Sequence, residues 1–426
     1  MSKLQLSVAV GNYDRCRPLF DGDVQIDGVD PVFMRLSPEE IFFRAFRHAE
    51  FDICELSLSS STVKAANGTL PYVGVPAFLS RMFRHSAFYV RKDRITRPED
   101  LKGKRVGLPE YQLTAMVWIR AFLEQDYGVA PEDITWVRGG ISDADRPEKI
   151  KLDLPEGIRL IDAPAGKTIS QLLAEGEIDG YIAPRAPDVP AGTPNIGWLF
   201  DDPLVEAMSY YKRRQIFPIM HILGVRKAIA DAHPWLPGAV LKAFTQAKDQ
   251  CLEHLRETSA CKITMPFVDE RLHADMALMG RDFWTYGIEQ NRHVLEDFFA
   301  QHHRQGHPPA SPAPARLIHR QIAPTQPNTR PSPADAPHAP PTHRPARRLW
   351  QLESDTGSSS VDDGSGNAAI FNSTSTSCCL RQFGIASKAA SNCCRLETIV
   401  VLSQRAAIIG SSVNSSPVMP PTVQVS

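Results

Sequence analysis

Residues 101–115 read Leu101-Lys102-Gly103-Lys104-Arg105-Val106-Gly107-Leu108-Pro109-Glu110-Tyr111-Gln112-Leu113-Thr114-Ala115. A polar turn around Gly103 leads into a short strand-like run, Arg105–Leu108, that is apolar after its first residue. A polar loop follows, and then an apolar-rich stretch with helical spacing from Thr114 to Gln125. Strand, loop and helix in that order make the unit of layered α/β proteins. Further strands are predicted at 4–10, 52–55, 86–90, 134–137, 180–182 and 219–225. Helices are predicted at 38–47 and 169–174, and in a long series beginning near Trp235. Glu39 and Glu40 fall in the first turn of the helix that opens at Pro38, where acids complement the helix dipole. The alternation implies α/β layers with mostly parallel pairing.

Further from that unit, the chain divides into two compositions. Of 426 residues, 42% are hydrophobic and 22% charged, with 47 Lys+Arg against 48 Asp+Glu. That near-neutral balance argues against nucleic-acid binding, which calls for a basic excess or stripe. Residues 307–426, however, hold 15 of the 35 prolines, 4 of the 8 cysteines and 3 aromatic residues. Twelve of those prolines lie between His307 and Trp350, so neither helices nor ladders can run far there, and Ser, Thr, Gly and Asn dominate after Gln351. This segment is expected to be a disordered tail. It carries 10 Lys+Arg against 6 Asp+Glu, which leaves 37 against 42 in residues 1–306 and makes that part mildly acidic.

The paired cysteines Cys378–Cys379 and Cys393–Cys394 have no histidine nearby and fit no zinc spacing. Cys16, Cys54, Cys251 and Cys261 are scattered without pattern, as reduced thiols are. The opening MSKLQLSVAVG alternates and is too short for a signal segment, and no stretch nears the roughly 18 apolar residues of a membrane span. A cytoplasmic location with no membrane partner is expected, with homo-oligomerisation left open. HSAFYV (85–90) and IFPIMHILGV (216–225) bracket a region with strand–helix repeats of its own. The expected organisation is therefore a first lobe in two parts, 1–91 and 215–306, a second lobe at 92–214, and the tail at 307–426. A cleft between lobes is a favoured place for a small ligand.

Residues 101–115 resemble the opening of the second lobe in type II periplasmic-binding-protein-like folds, as does Leu172-Leu173-Ala174-Glu175-Gly176-Glu177-Ile178-Asp179-Gly180. Those folds include solute receptors and thiamine-pyrimidine-precursor synthases. Three further segments are similar to the 4,5-dihydroxyphthalate decarboxylase family: Phe78–His85, Pro109–Thr114 and Ile216–His221. The resemblance implies an enzyme on a receptor-like scaffold that forms protocatechuate and CO2 in phthalate breakdown. It stops near Gly306, where the family continues as a short helical C-terminus, so the tail departs from the pattern. Fold alone does not give function, and a non-catalytic receptor for a small anion is the alternative. A precursor synthase ranks below both, because no histidine-and-cysteine iron-binding pattern is present.

The chemistry of such a reaction sets the residue types to look for. Breaking the ring–carboxylate bond directly would leave an aryl carbanion, and protonating the ring carbon first avoids it. A deprotonated para-hydroxyl drives electrons to that carbon. The site then needs an acid near the ring, a base near the phenol and cations for the carboxylates. Arg81 and Arg84 are the expected carboxylate anchors, although a turn with structural salt bridges would use the same residues. His221 is the first candidate for proton transfer and His85 the second; periodicity alone would make His221 a core residue. Glu110 is a candidate base, and Tyr111 and Thr114 precede a helix whose N-terminus favours anions, with Thr114 equally readable as a cap. Glu55, Ser57 and Arg185 follow strands on the usual ligand side, and Tyr13 is placed to stack on or bond an aromatic ligand. No organic cofactor is required. A divalent metal is conceivable because catechols chelate, but no HxH or HxxxH spacing supports one.

Overall fold

A computed structural model describes residues 2–144, 150, 153–190 and 192–308. The tail expected at 307–426 and its paired cysteines lie outside these residues from position 309 onward.

Eleven strands are described: β1 (Leu4–Val10), β2 (Val29–Arg35), β3 (Ile53–Ser57), β4 (Tyr72–Arg81), β5 (Phe88–Arg91), β6 (Arg105–Leu108), β7 (Thr135–Arg138), β8 (Arg159–Asp162), β9 (Gly180–Ile182), β10 (Ile196–Trp198) and β11 (Ile219–Arg226). Between them lie helices α1 (Arg17–Phe20), α2 (Pro38–His48), α3 (Leu58–Ala66), α4 (Thr114–Tyr127), α5 (Ile169–Glu175) and α6 (Pro203–Arg214). After β11 come α7 (Lys227–Ala232), α8 (Leu236–Arg256), α9 (Val268–Met279) and α10 (Arg292–Arg304).

The strands form two sheets, ordered β2-β1-β3-β11-β4 and β10-β5-β9-β6-β7-β8. The second sheet is drawn wholly from residues 88–198, and the chain re-enters the first sheet as β11. This is the type II periplasmic-binding-protein-like α/β architecture. Among the described residues, the strands in βα order pair in parallel, and every antiparallel pairing involves β5 or β11. Those two strands follow the crossings between sheets and so run against their neighbours.

The expected strand at 86–90 begins at Phe88, because His85–Ala87 form a 3-10 turn. The strand that leaves the first sheet is β4, which the sequence reading did not include. β11 lies between β3 and β4, and its residues other than His221 and Arg226 are buried. A Cβ at Gly224 would sit 2.5 Å from Leu56 Cδ1 and 3.1 Å from Tyr72 Cβ, so a larger residue there would force its neighbours to shift.

Both sheets belong to one compact unit, and one buried cluster runs from Val8 and Leu56 through Trp118 to Trp136. The helix that joins them is α4, buried at every position from Thr114 to Leu123, as expected of a helix without a polar face. Its Trp118 Nε1–H donates to the Ile219 carbonyl of β11 at 2.9 Å. Packing also continues one residue into the assigned tail. His307 is buried, with its ring 4.3 Å from that of His302 and 5.5 Å from that of Tyr111.

Candidate active site

β3 and β11 run antiparallel, with His221 opposite Ser57 and Leu223 opposite Glu55. That register brings Glu55 and His221, 166 positions apart, within reach of each other: His221 Nδ1 lies 2.5 Å from Glu55 Oε1. Glu55 is fully buried and gathers two more donors. The Tyr13 hydroxyl donates to Oε1 at 2.7 Å, and the Gly11 N–H donates to Oε2 at 3.0 Å. Burial pushes the Glu55 carboxyl up, but the charge and hydrogen bond of His221 and the bonds from Tyr13 and Gly11 outweigh it. The pKa settles below the usual carboxylate value. Tyr13 shifts the other way, raised by burial and by the neighbouring Glu55 charge, so its hydroxyl stays protonated and donates.

An ionised carboxylate can only accept, so Nδ1 of His221 carries the hydrogen and Nε2 is left to exchange a proton. Nε2 has no protein partner among the described residues, and the side chain keeps 15% of its surface exposed. Phe42 of α2 lies edge-on to the imidazole at 4.8 Å and gives it an apolar neighbour.

Beside this pair, the first turns of α3 and α4 meet. Ser57 caps α3, and its hydroxyl is 3.1 Å from Thr114 Oγ1, which also accepts the Ser59 N–H at 3.0 Å. The N-cap of α4 is Leu113 and no side chain caps that helix; Thr114 is its first residue, so the capping role does not hold. Glu110 is buried in the loop before α4 and accepts from Gln112 Nε2 at 2.6 Å.

The two expected arginine anchors separate. Arg81 donates to the carbonyls of Phe217 (3.0 Å) and Thr285 (2.7 Å) and to the Asn291 side chain, so its fork is engaged by the protein and it braces β4. Arg84 is also buried, but no hydrogen-bond or ion-pair partner for its side chain occurs among the described residues, and its Nε is an orphan. Burial lowers its pKa to about 10, and the ionisable neighbour acting on it is Tyr13. Arg84 comes four residues after Ser80, which lies opposite His221 in the β4–β11 pairing, so it leaves the first sheet at the His221 end as a cation without a counter-ion among the described residues.

Three other expected site residues have surroundings of their own. His85 stacks on Phe122 at 4.6 Å with Phe200 and Tyr210 around it. Both its nitrogens are buried without partners, and burial lowers its pKa to about 4, so it is a neutral core residue. Tyr111 is fully buried under the Arg120 guanidinium, 3.6 Å from its ring centre. Arg185 lies on an exposed loop, where its carbonyl accepts the Tyr181 hydroxyl.

Sequence reasoning passed over Gly11, Phe42 and Arg15, and weighed His302 only as a metal ligand. Arg15 packs its guanidinium 4.1 Å from the Tyr13 ring and 4.3 Å from that of Trp284, and donates through Nε to the Leu79 carbonyl. His302 meets the Ser59 hydroxyl at 3.0 Å. Gly11 carried a signal, since it ends the first strand next to Asn12-Tyr13; the others depend on residues far away in the chain. Among the described residues, no three His, Cys, Asp or Glu side chains gather as a metal set. The arrangement as it stands offers an oriented imidazole, a buried unpaired cation and two helix N-termini on one side of the first sheet. It can hold an anion and pass a proton to it.

A family model described as NMT1/THI5 like matches residues 54–150. The chain is 61% identical over 321 residues to the 4,5-dihydroxyphthalate decarboxylase of Comamonas testosteroni, covering 75% of this chain and 97% of that one. It is 58% identical over 214 residues to the enzyme of the same name from Pseudomonas putida, covering 50% and 83%. Among solved structures, an alkanesulfonate-binding protein of Xanthomonas axonopodis pv. citri aligns at a TM-score of 0.39 and 12% identity, covering 73% of this chain and 98% of that one.

Proposed function

The chain belongs to the 4,5-dihydroxyphthalate decarboxylases, and from that premise we propose that His221, oriented by Glu55, protonates the substrate ring. The protein is a carboxy-lyase acting on 4,5-dihydroxyphthalate. In that substrate each carboxylate is para to a hydroxyl, so loss of the phenolic proton drives electrons to the carbon that bears the leaving group. His221 Nε2 delivers a proton to that carbon. The ring–carboxylate bond then breaks, its electron pair restores aromaticity, and CO2 and protocatechuate leave. Arg84 pairs with substrate carboxylate, and the helix N-termini around Ser57 and Thr114 favour the same charge. Tyr13 lies beside the ring, and Glu110 is assigned to the phenolic proton. Phe42 presents an apolar face to the proton donor, which suits neutral CO2 better than a carboxylate.

The observation that carries this reading is the pairing of His221 Nδ1 with the buried Glu55, which leaves Nε2 to the substrate. The test is to incubate the protein with 4,5-dihydroxyphthalate and follow CO2 and protocatechuate, with and without a chelator. Release of both is expected. Tight binding without turnover would return the molecule to the receptors, and turnover lost to the chelator would bring a metal into the scheme.

The supporting features extend beyond the site. Cys16, Cys54, Cys251 and Cys261 are all free, which fits a reducing, cytoplasmic setting. No helix among the described residues is long and apolar enough to cross a membrane. The lobes are taken as 1–91 with 215–306, and 92–214; self-association is a property to be measured by light scattering.

A further inference from the structure

The product of this reaction is chemically still a substrate. Protocatechuate keeps one carboxylate para to a hydroxyl, so ring electronics alone would allow a second protonation and a second loss of CO2, giving catechol. Whatever stops the reaction after one step must lie in the site.

Three arginines are buried among the described residues, and two have their forks occupied. Arg81 is held by Phe217, Thr285 and Asn291, and Arg120 by Gln305 and the Tyr111 carbonyl. Arg84 alone of the three has no side-chain partner among the described residues, with its Nε buried and unsatisfied, and it comes four residues after Ser80 of β4, which lies opposite His221 of β11. A buried guanidinium demands a counter-ion, and any ligand that leaves it unpaired binds poorly. We propose that Arg84 limits the enzyme to one decarboxylation, by requiring a carboxylate on the ring carbon next to the one that His221 protonates.

This inference rests on the reading of His221 as the proton donor. In the diacid, one carboxylate pairs with Arg84 while its neighbour faces His221. Nε2–H gives its proton to the ring carbon, the carbon–carboxylate bond breaks, and its electron pair returns to the ring as CO2 departs. The imidazole then regains a proton from water. The monoacid can satisfy Arg84 only by placing its sole carboxylate there, so a C–H bond faces His221 and no CO2 can form. Turning the ring over to present that carboxylate to His221 leaves Arg84 against a C–H bond. The first pose has a visible consequence: in D2O, His221 exchanges the ring hydrogen ortho to the carboxylate and para to the 3-hydroxyl.

The test uses the full chain and three measurements: CO2 released from 4,5-dihydroxyphthalate, deuterium uptake into protocatechuate by NMR, and competitive inhibition by protocatechuate and by catechol. The wild type is expected to release one CO2 per diacid, form no catechol, and deuterate protocatechuate at that one carbon. Arg84→Met is expected to lose about 100-fold or more in kcat/KM on the diacid and in affinity for protocatechuate. It should also lose deuterium uptake, while inhibition by catechol, which has no carboxylate and leaves Arg84 unpaired, is kept or strengthened and reports an intact site. Arg84→Lys keeps the charge without the fork and should fall between the two with exchange retained. The proposal is overturned if the wild type leaves protocatechuate undeuterated or deuterates it elsewhere. It is likewise overturned if Arg84→Met weakens catechol as much as protocatechuate, or changes neither. A wild type that releases no CO2 from the diacid overturns the decarboxylase reading and this inference together.

Discussion

At the scale of single residues, the site turns on Glu55 having three donors and no acceptor role to spare. His221 is held through Nδ1, and the proton it exchanges is on the other nitrogen. His221→Ala removes the donor without touching Arg84. Turnover is expected to fall by about a hundred- to ten-thousand-fold while the Kd for the diacid changes little, as measured by single-turnover CO2 release and calorimetry. Near-normal turnover would end the proton-transfer role. Glu55→Gln keeps the shape but offers an amide in place of a carboxylate, so the imidazole loses its charge partner and fixed tautomer. A fall in kcat of at least about a hundredfold is expected, with KM nearly unchanged. The contribution of Glu55 to stability has the usual carboxylate sign. Its folded pKa lies below the unfolded one, so the stabilisation is present above the unfolded value and lost as pH falls through the folded value.

These residues were only partly legible in the sequence, for a physical reason. Glu55 stood out by its place at the end of a strand and His221 as a polar residue within the apolar return strand, but their bond depends on a register between residues 166 positions apart. Arg81 and Arg84 are the same side chain three residues apart. What separates them is Asn291 and Thr285, more than 200 positions on, which occupy the fork of Arg81. His85 reads as a cleft residue until Phe122, Phe200 and Tyr210 close around it.

At the scale of elements, the site depends on the contact between the first turns of α3 and α4. Thr114 Oγ1 serves both Ser57 and the Ser59 N–H. Thr114→Val keeps the volume and removes that oxygen, stranding a buried N–H. A loss of about 1–3 kcal/mol in denaturant unfolding is expected, with a higher KM for the diacid. An unchanged KM would show that the two helix starts do not shape substrate binding.

Element boundaries explain what pattern reading found and missed. β1, β6 and β9 have the predicted ranges because each is a short uninterrupted apolar or alternating run. β2 and β4 were missed because each contains a proline, Pro31 and Pro76, which argues against a strand interior. Both lie at the two edges of the first sheet, and Pro76 falls at the irregularity in the β4–β11 register, where a missing N–H breaks no ladder bond. α6 was not among the predicted helices, although its start has ordinary cap chemistry: Asp202 precedes Pro203, and its carboxylate accepts the Leu204 and Val205 N–H groups.

At the scale of the whole molecule, buried histidines set the response to acid. His85 and His302 are lowered to about 4 and about 3, first by burial, and His307 lies well below its ordinary value for the same reason. In the unfolded chain each would titrate near 6.5. Between that value and the folded one, the unfolded state binds more protons, so stability rises with pH and is lost as pH falls below about 6.5. Each such histidine steepens the dependence by up to about 1.4 kcal/mol per pH unit, and His85 alone accounts for about 3 kcal/mol between pH 6.5 and 4. His85→Phe keeps an aromatic ring against Phe122 while removing the two orphan nitrogens. The variant is expected to match or exceed the wild type at pH 7 and to lose stability more gently down to pH 4. In urea unfolding across that range, the difference should correspond to about one fewer proton taken up. Parallel curves for the two proteins would mean that His85 is protonated in the folded state, and the aromatic cage would then have to open to water within the native ensemble.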